Sequence, residues 1–365
     1  MAYRVARSID EFSPAEWDAA AGAQLLLTHR WQRVLETSRR NYQPRYLLVE
    51  DAQGPLAAAT INLADIFGRS GWREWLIRRL TLMVRAPFST DYGIALRPGA
   101  QLSEALPELL RGLGALSWRE QRLLLTLNDV PAAEVPTLRA QRFLASDNQP
   151  ANMNLTLTGA TYDDYLQMLS PKDRSELRRM RRRAATMDVR FEHGPLTDDA
   201  RVFPLVAEVF AHHGKSQSIL SITPEFFTAL VREMPGEVTI FRGFVGDQLA
   251  GVLLCMHQDQ TLWWPIAGLH YPLAHPSYLY FLLIDEMIQW AIAHGYRRVI
   301  GSMTNEREKR KHGFKPERRW MCVRATIGPV NRLLTVTLPF VQRMVGKSEI
   351  AVQVSRATPE AEGGV

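Results

Sequence analysis

Residues 238–267 read VTIFRGFVGDQLAGVLLCMHQDQTLWWPIA, and this stretch decides the fold class of the second half of the chain. Apolar runs at 238–244 and 249–256 flank a Gly-Asp-Gln turn at 246–248, and a third apolar run covers 260–267. Short runs rich in β-branched and aromatic residues, bounded by turn residues, predict strands. Three such strands in succession predict a meander in one sheet.

Helical patterns surround this meander. Two amphipathic runs precede it, at 202–210 and 224–234, and a loop after it leads to a long helical run at 277–294. The first half shows the same order of helices, hairpin, crossover helix and strand, in runs that begin at Ser13 and continue at 28–40, 45–50, 57–63, 102–121 and 123–127. We therefore predict an α/β (α+β) fold with two tandem domains, each a mixed sheet flanked by helices.

A polar, turn-prone stretch, ASDNQPAN at 145–152, is the best candidate for a domain boundary. It predicts one domain at 1–150 and a second at 151–330. Residues 331–365 would form a C-terminal extension, and the polar tail from 357 predicts disorder at its end.

Composition is typical of a globular protein, with 46% hydrophobic and 22% charged residues among 365. Cys255 and Cys322 lie in separate apolar runs, which predicts buried core thiols and a reducing compartment.

No signal peptide and no apolar run of about 18 residues is visible. We expect a cytoplasmic protein, with peripheral contact to the inner face of the membrane as the alternative. His212 and His213 are adjacent, and no metal-ligand spacing occurs, so we predict no metal site.

A net charge of +6 favours anionic partners such as phosphorylated cofactors, nucleic acid or anionic lipid. The segment 66–86 interleaves tryptophans and aliphatic residues with arginines. It predicts either a basic amphipathic segment on lipid, a cover over a cleft, or core with solvated arginines.

A strongly basic helix is predicted after Ser170 and Pro171, which suit a helix cap and first turn. Seven cations and two acids fall at 172–183. One interpretation is a solvated helix face. The other is a platform for phosphate groups, with Arg178 and Arg182 as the candidate ligands.

Two further stretches follow strands of the second half. The loop at 267–278 enters a helix at Ser277 and Tyr278, where unpaired backbone N–H groups favour an anion. The stretch 301–314 is polar and basic and follows a strand directly, where α/β proteins place their ligands. Lys309 or Lys311 in it could neutralise charge that builds up on an acyl carbonyl or a phosphate.

Two smaller polar groups supply candidates for orienting or deprotonating a nucleophile. Asp91 lies in the stretch STDYG at 89–93, and His213 lies in HHGKS at 212–216. Neither spacing is diagnostic of a particular chemistry.

Together these stretches resemble the Fem-type, acetyltransferase-like branch of the GNAT superfamily, over roughly residues 25–325. The resemblance is carried by many short matches in the right order. They are His29-Arg30-Trp31 with Val34-Leu35-Glu36, Asp91-Tyr92-Gly93, Tyr162 with Tyr165-Leu166, the basic helix at 172–183, the helix from Tyr278 to Gly295-Tyr296, and Lys309 four residues before Gly313-Phe314.

The resemblance implies two GNAT-like domains, with the donor site in the second, and attack of an amine on an activated acyl group. At Lys309 it implies contact with the acyl donor or the developing oxyanion. The glycine-rich pyrophosphate loop of most GNAT proteins is missing between Gly268 and Ser277, a departure that Fem-type members share.

Three functions stay open. The first is an N-acyltransferase that uses an acyl-CoA or similar thioester. The second is an amide-forming transferase that uses aminoacyl-tRNA and acts on a small molecule or a cell-wall precursor. The third is a non-catalytic protein that binds anionic lipid or nucleic acid. No tightly bound cofactor is expected; the implied partners are a small-molecule or peptide amine, tRNA in the second case, and a membrane surface through 66–86.

Overall fold

The computed structural model describes residues 1–39, 42–63, 79–85, 87–90, 92–147, 150–212, 222–301, 303 and 305–333. Two candidate residues, Asp91 and His213, lie outside this part of the chain, as do 66–78 and residue 86 of the basic amphipathic segment. The tail at 334–365, which includes the part predicted to be disordered, also lies outside it.

The first sheet has eight strands in the order β1-β2-β3-β4-β6-β15-β7, with β5 paired to β3. Its strands are β1 (Ala2–Ala6), β2 (Pro44–Asp51), β3 (Gly54–Asn62), β4 (Thr81–Val84), β5 (Ile94–Leu96), β6 (Leu124–Val130), β7 (Leu144–Ser146) and β15 (Trp320–Ala325). Its helices are α1 (Pro14–Ala21), α2 (His29–Ser38), α3 (Leu102–Arg119) and α4 (Val135–Ala140).

The second sheet has seven strands in the order β14-β8-β13-β12-β11-β10-β9. They are β8 (Asn152–Thr156), β9 (Val189–Pro195), β10 (Val238–Val245), β11 (Gln248–Gln258), β12 (Thr261–Leu269), β13 (Arg298–Ile300) and β14 (Lys315–Glu317). The helices of this half are α5 (Tyr162–Met168), α6 (Pro171–Ala185), α7 (Val202–His212), α8 (Pro224–Glu233), α9 (Tyr271–Ala274), α10 (Leu279–Ala293) and α11 (Glu306–Lys311).

Local sequence explains where several helices begin. The Ser13 hydroxyl accepts the Glu16 N–H while the Glu16 side chain returns to the Ser13 N–H, a reciprocal cap with Pro14 in the first turn. Ser170 caps α6 by a single bond of this kind, its hydroxyl accepting the N–H of Asp173. These caps satisfy N–H groups that a helix end leaves unpaired, so both predicted starts are confirmed.

Both sheets are mixed and flanked by helices, as predicted. The meander β10-β11-β12 is antiparallel, and β13 joins it in parallel after the crossover helix α10. In the first sheet, β2 and β3 form the predicted hairpin, and β6 runs parallel to β4.

The first sheet takes one strand from the second half of the sequence. Strand β15, near the end of the described chain, lies between β6 and β7 of the first sheet. Strand β8 lies between β13 and β14 of the second sheet. The predicted boundary at 150–151 falls between β7 and β8 and stays a prediction. All strands of the second sheet lie after it, whereas the first sheet takes β15 from beyond it.

The core of the second half positions the site. Leu262 and Trp264 of β12 pack toward α10, whereas Ile266 packs toward α7 and α8 on the other face. A Cβ built on Gly268 would lie 2.7 Å from the backbone nitrogen of Val206, so only glycine lets α7 cross β12 this closely. Cys255 and Cys322 are fully buried, which confirms them as core thiols.

Candidate active site

Strands β12 and β13 separate after a short parallel pairing, and the candidate site lies where they part. Their pairing ends at Trp263 and Ile300. Beyond this point β12 continues to Leu269 and remains bonded to β11, while the chain leaves β13 at Gly301, whose N–H donates to the carbonyl of Met153 in β8. The edge of β12 from Trp264 onward therefore faces an opening, with no strand partner on that side among the described residues.

Lys309 lies at the base of this opening. Helix α11 directs its side chain inward, leaving it 1% exposed, and the ammonium donates to the carbonyl of Gly301. Its Nζ also lies 5.0 Å from the ring centroid of Trp264, close enough for a cation–π contact. The predicted catalytic lysine is thus held at the point where the strands diverge.

Burial changes the acid–base behaviour of this lysine. Removal from water disfavours the charged form and lowers the pKa of Lys309 to about 7. At neutral pH the site therefore contains a substantial fraction of both ammonium and amine. Negative charge that develops nearby would favour the ammonium, which is the behaviour required of an oxyanion-stabilising group.

An aromatic and amide shell surrounds Trp264. The Tyr280 ring lies 5.8 Å from the Trp264 ring, and the Asn305 amide donates to the Tyr280 hydroxyl at 3.2 Å. Asn305 adopts a left-handed backbone conformation with φ of 54° at the start of α11. Sequence reasoning did not identify these three side chains, although two consecutive tryptophans in a strand that leads to a ligand loop were a usable signal.

The second predicted lysine of this stretch has a different environment. The ammonium of Lys311 lies 3.1 Å from Glu176 of α6 and 3.2 Å from Glu308. Burial opposes its charge, but the hydrogen bonds to the two glutamates outweigh that effect and raise the pKa of Lys311. Its observed contacts tie α11 to α6; its predicted contact with a donor stays a prediction.

His312 follows on the same helix end and is buried as well. Desolvation lowers its pKa to about 4, so it is neutral at physiological pH. Its Nδ1 is buried and has no hydrogen-bond partner within the part of the chain that the structure describes.

The loop that enters α10 is closed by protein groups. The short helix α9 fills it, and the Ser277 hydroxyl, which is fully buried, donates to the carbonyl of Leu273 at 2.7 Å. Tyr278 has a φ of 56° and provides no side-chain cap for α10; its ring lies 5.7 Å from the guanidinium of Arg179. The Ser277 side chain is thus engaged in holding the loop, and the anion contact predicted for these two residues is untested.

A glutamate–histidine pair lies at the far end of β12. Glu208 of α7 accepts the Tyr271 N–H at 2.9 Å and lies 3.0 Å from Nδ1 of His270. Burial opposes ionisation, but these hydrogen bonds outweigh it and lower the pKa of Glu208. His270 follows Trp264 by six residues, roughly 20 Å along a strand. The pair therefore lies closer to the entrance of the opening than to Lys309.

The basic helix α6 presents two kinds of arginine. Arg178 and Arg182 are exposed, and neither has an ion-pair partner among the described residues. Arg181 instead points to α10, where its Nε donates at 2.9 Å to Asp285, a fully buried carboxylate that also accepts the Tyr162 hydroxyl at 2.6 Å. Sequence reasoning missed Arg181 and Asp285.

The first half contacts strand β8 beside the site. The side-chain amide of Asn152 donates to the carbonyl of Thr90 at 2.9 Å, and Met153, the next residue, accepts the N–H of Gly301. Thr90 directly precedes Asp91 in sequence, so the polar stretch predicted at 89–93 is linked to the Lys309 site by two hydrogen bonds. No cluster of potential metal ligands occurs within the described ranges.

The region that contains the site is similar to a GNAT acetyltransferase domain. Residues 171–310 match the family model for the acetyltransferase (GNAT) domain, a region that contains α6, the meander and Lys309. No curated protein matches the chain by sequence.

Solved structures define the particular arrangement. FemX aligns over 88% of this chain and 97% of its own, with 12% identity and a TM-score of 0.57. A tandem GNAT protein from the clavulanic acid biosynthesis pathway aligns over 89% and 99%, with 14% identity and a TM-score of 0.52. L-PGS from Bacillus licheniformis aligns over 92% and 98%, with 11% identity and a TM-score of 0.53. The chain therefore has the Fem-type, tandem GNAT fold.

Proposed function

We propose that this protein is an N-acyltransferase that moves an acyl group from a thioester donor, such as an acyl-CoA, to an amine. The observation that carries the proposal is the buried Lys309 ammonium at the base of the opening between β12 and β13. The open edge of β12 supports it, since backbone N–H and C=O groups there can pair with the amide groups of an extended donor.

The reaction needs no covalent enzyme intermediate. The amine nitrogen attacks the thioester carbonyl carbon and forms a C–N bond. The resulting oxyanion collapses, the C–S bond breaks, and the thiolate leaves and takes up a proton, while the nitrogen loses one to solvent. The chain holds the two reactants together and Lys309 stabilises the oxyanion. Asp91 and His213 remain predictions for orienting the amine or accepting its proton.

The test is thiol release from a panel of acyl-CoA thioesters in the presence of a pool of amines, with products identified by mass spectrometry. Lys309→Met is expected to lower turnover about 10²–10³-fold, as loss of one oxyanion donor does. Lys315→Met, which removes an exposed lysine of β14, is the matched control and should leave turnover unchanged. Full turnover in Lys309→Met would exclude this role.

The proposed role of Lys309 predicts a pH dependence in the same assay. Because the pKa of Lys309 is lowered to about 7, the ammonium fraction of the free enzyme falls above that pH. We expect kcat/KM of the wild type to show a descending alkaline limb near this value, since this ratio reports ionisations of the free enzyme. The residual activity of Lys309→Met should lack the limb.

Two observations favour an aminoacyl-tRNA as the alternative donor. Helix α9 closes the loop before α10, where an anionic donor group would otherwise meet the helix end. Arg178 and Arg182 are exposed on α6 and suit a large polyanion. In this case transfer would be abolished by ribonuclease and reduced by the pair Arg178→Glu and Arg182→Glu. A matched pair beside the first sheet, Arg7→Glu with Arg332→Glu, should be without effect.

A further inference from the structure

Several exposed apolar side chains lie at one end of the first sheet. Three hydrogen bonds link the residues that adjoin the ends of β4, β6 and β15 there. They run from the Leu123 N–H to the Leu80 carbonyl, from the Thr326 N–H to the Leu123 carbonyl, and from Arg122 Nη1 to the Arg79 carbonyl. The exposed side chains beside these ends, with their exposed fractions, are Trp118 (81%), Leu333 (63%) and Ile327 (40%). An exposed indole beside two exposed aliphatic side chains is costly in water unless something covers it.

The same end is strongly basic. Its arginines are Arg79, Arg119, Arg122, Arg142, Arg324 and Arg332. Burial and the neighbouring Arg79 and Arg45 lower the pKa of Arg122, and burial and Arg142 lower that of Arg324, so these cations lie close enough to repel one another. Among the described residues, carboxylates near them are Glu120, which lies 2.8 Å from Arg45, and Glu11. Within that part of the chain, positive charge therefore exceeds negative charge around the exposed apolar groups.

We propose that this surface, formed by Trp118, Ile327, Leu333 and the surrounding arginines, docks the protein on an anionic phospholipid membrane. Arginines are attracted to the negative surface potential, indole prefers the membrane–water interface, and the aliphatic side chains gain from contact with the acyl boundary. A nucleic acid would satisfy the arginines but would leave Ile327 and Leu333 in contact with water.

The sequence at both borders of the surface agrees with this occupant. The stretch 66–78, which leads to Arg79, contains two tryptophans and three arginines, and the chain continues after Leu333 with the apolar run LTVTLPFV. The proposal concerns where the protein is held and does not depend on the reaction proposed above. No helix among the described residues is long and apolar enough to cross a bilayer.

The experiment is flotation of the full-length protein with two kinds of phosphatidylcholine vesicle. One kind contains no phosphatidylglycerol, and the other contains about a third phosphatidylglycerol. We expect binding only to the anionic vesicles, weakened when salt is raised several-fold. Trp118→Ser and the pair Arg119→Glu with Arg332→Glu should each reduce the bound fraction about tenfold or more. All three positions are exposed, so the variants should keep the wild-type melting temperature.

A matched pair on the second sheet, Arg297→Glu with Lys315→Glu, changes the net charge by the same amount and should bind as the wild type does. The proposal is overturned if the folded protein fails to float with anionic vesicles at low salt. It is also overturned if Trp118→Ser binds normally, if the matched pair loses binding equally, or if the surface variants lose binding to RNA but not to vesicles.

Discussion

At the scale of the residue, the burial of Lys309 carries a cost to stability, and the role proposed for this lysine gives a reason for that cost. An ammonium that is 1% exposed has lost most of its hydration, and the carbonyl of Gly301 and the ring of Trp264 replace only part of it. Such groups persist in proteins where function needs them, and replacing them with an apolar side chain commonly stabilises the fold.

This cost predicts a pH-dependent stability. In the folded protein the pKa of Lys309 is lowered to about 7 from its ordinary 10.5. Between these values the unfolded chain binds a proton that the folded chain does not, so the free energy of unfolding rises with pH across this range. The penalty is fully present below pH 7 and decreases above it. Lys309→Met removes it, so the variant's advantage over the wild type should be larger at pH 6 than at pH 9, by roughly 2–3 kcal/mol.

Urea unfolding of both proteins at the two pH values measures this difference. Lys315→Met, at an exposed position, controls for loss of a lysine as such. An advantage of Lys309→Met that is the same at both pH values would show that the lysine is not desolvated in the folded protein.

At the scale of the element, a structural arginine and a surface arginine are neighbours in the sequence of helix α6. Leu177, Met180 and Ala184 are its buried positions, and Arg181 lies four residues after the first of them, on the same face. Its guanidinium meets the buried carboxylate of Asp285 and fixes α6 against α10. Arg182, the next residue, points to solvent.

Arg181→Met should therefore destabilise the protein by roughly 2–4 kcal/mol, because Asp285 would remain buried without its cation. The estimate is below that of a fully buried pair since the Arg181 side chain is 40% exposed. Arg182→Met should change the free energy of unfolding by less than about 0.5 kcal/mol. Thermal and urea denaturation measure the free energy of unfolding of the two variants. Equal effects would contradict the assignment of Arg181 to the contact between α6 and α10.

Elements with strong local signals could be predicted from the sequence. The hairpin β2-β3, the meander and the caps at Ser13 and Ser170 depend on neighbouring residues, and all were found where expected. Strands β1, β4, β5, β7, β9 and β14 were missed, as was the short helix α4. Strands that are short or largely polar need a neighbour in space to be strands at all. Helix α9 was missed since its four residues carry no periodic signal.

The position of Lys309 in the fold was predictable from local sequence as well, whereas its role in a site stays a prediction. Sequence position placed Lys309 after a strand of the second sheet, where it is found. Its burial was not predictable from composition, because Arg310 and Lys311 have the same charge and differ only in helical phase. The contact with Trp264 joins residues 45 positions apart in sequence, a separation for which a single sequence contains no information.

At the scale of the whole molecule, strand β15 makes the first sheet dependent on the second half of the chain. Strand β15 pairs with β6 through Val323 and Thr126, and with β7 through Val323 and Leu144. Residues 1–150 alone would therefore lack the strand that joins β6 to β7. Both would be left with open edges, and Cys322 would be missing from the core of the first sheet.

The first half should consequently fail to fold when it is expressed as residues 1–150, whereas the full chain should unfold in one cooperative transition.

Restoring the missing strand should rescue folding of the first half. Because Ser146 pairs with Met321, a two-residue Asn-Gly turn can join residue 147 to residue 320 in a chain made of 1–147, the turn and 320–333. Circular dichroism and urea denaturation should show a cooperative transition for this chain and none for 1–150. A version with residues 320–325 scrambled is the matched control, since it has the same length and composition without the inward-facing pattern that sets the register. Cooperative unfolding of 1–150 alone, or of the scrambled chain, would mean that β15 only covers a sheet that is already stable, and the halves would then be independent domains divided near residue 150.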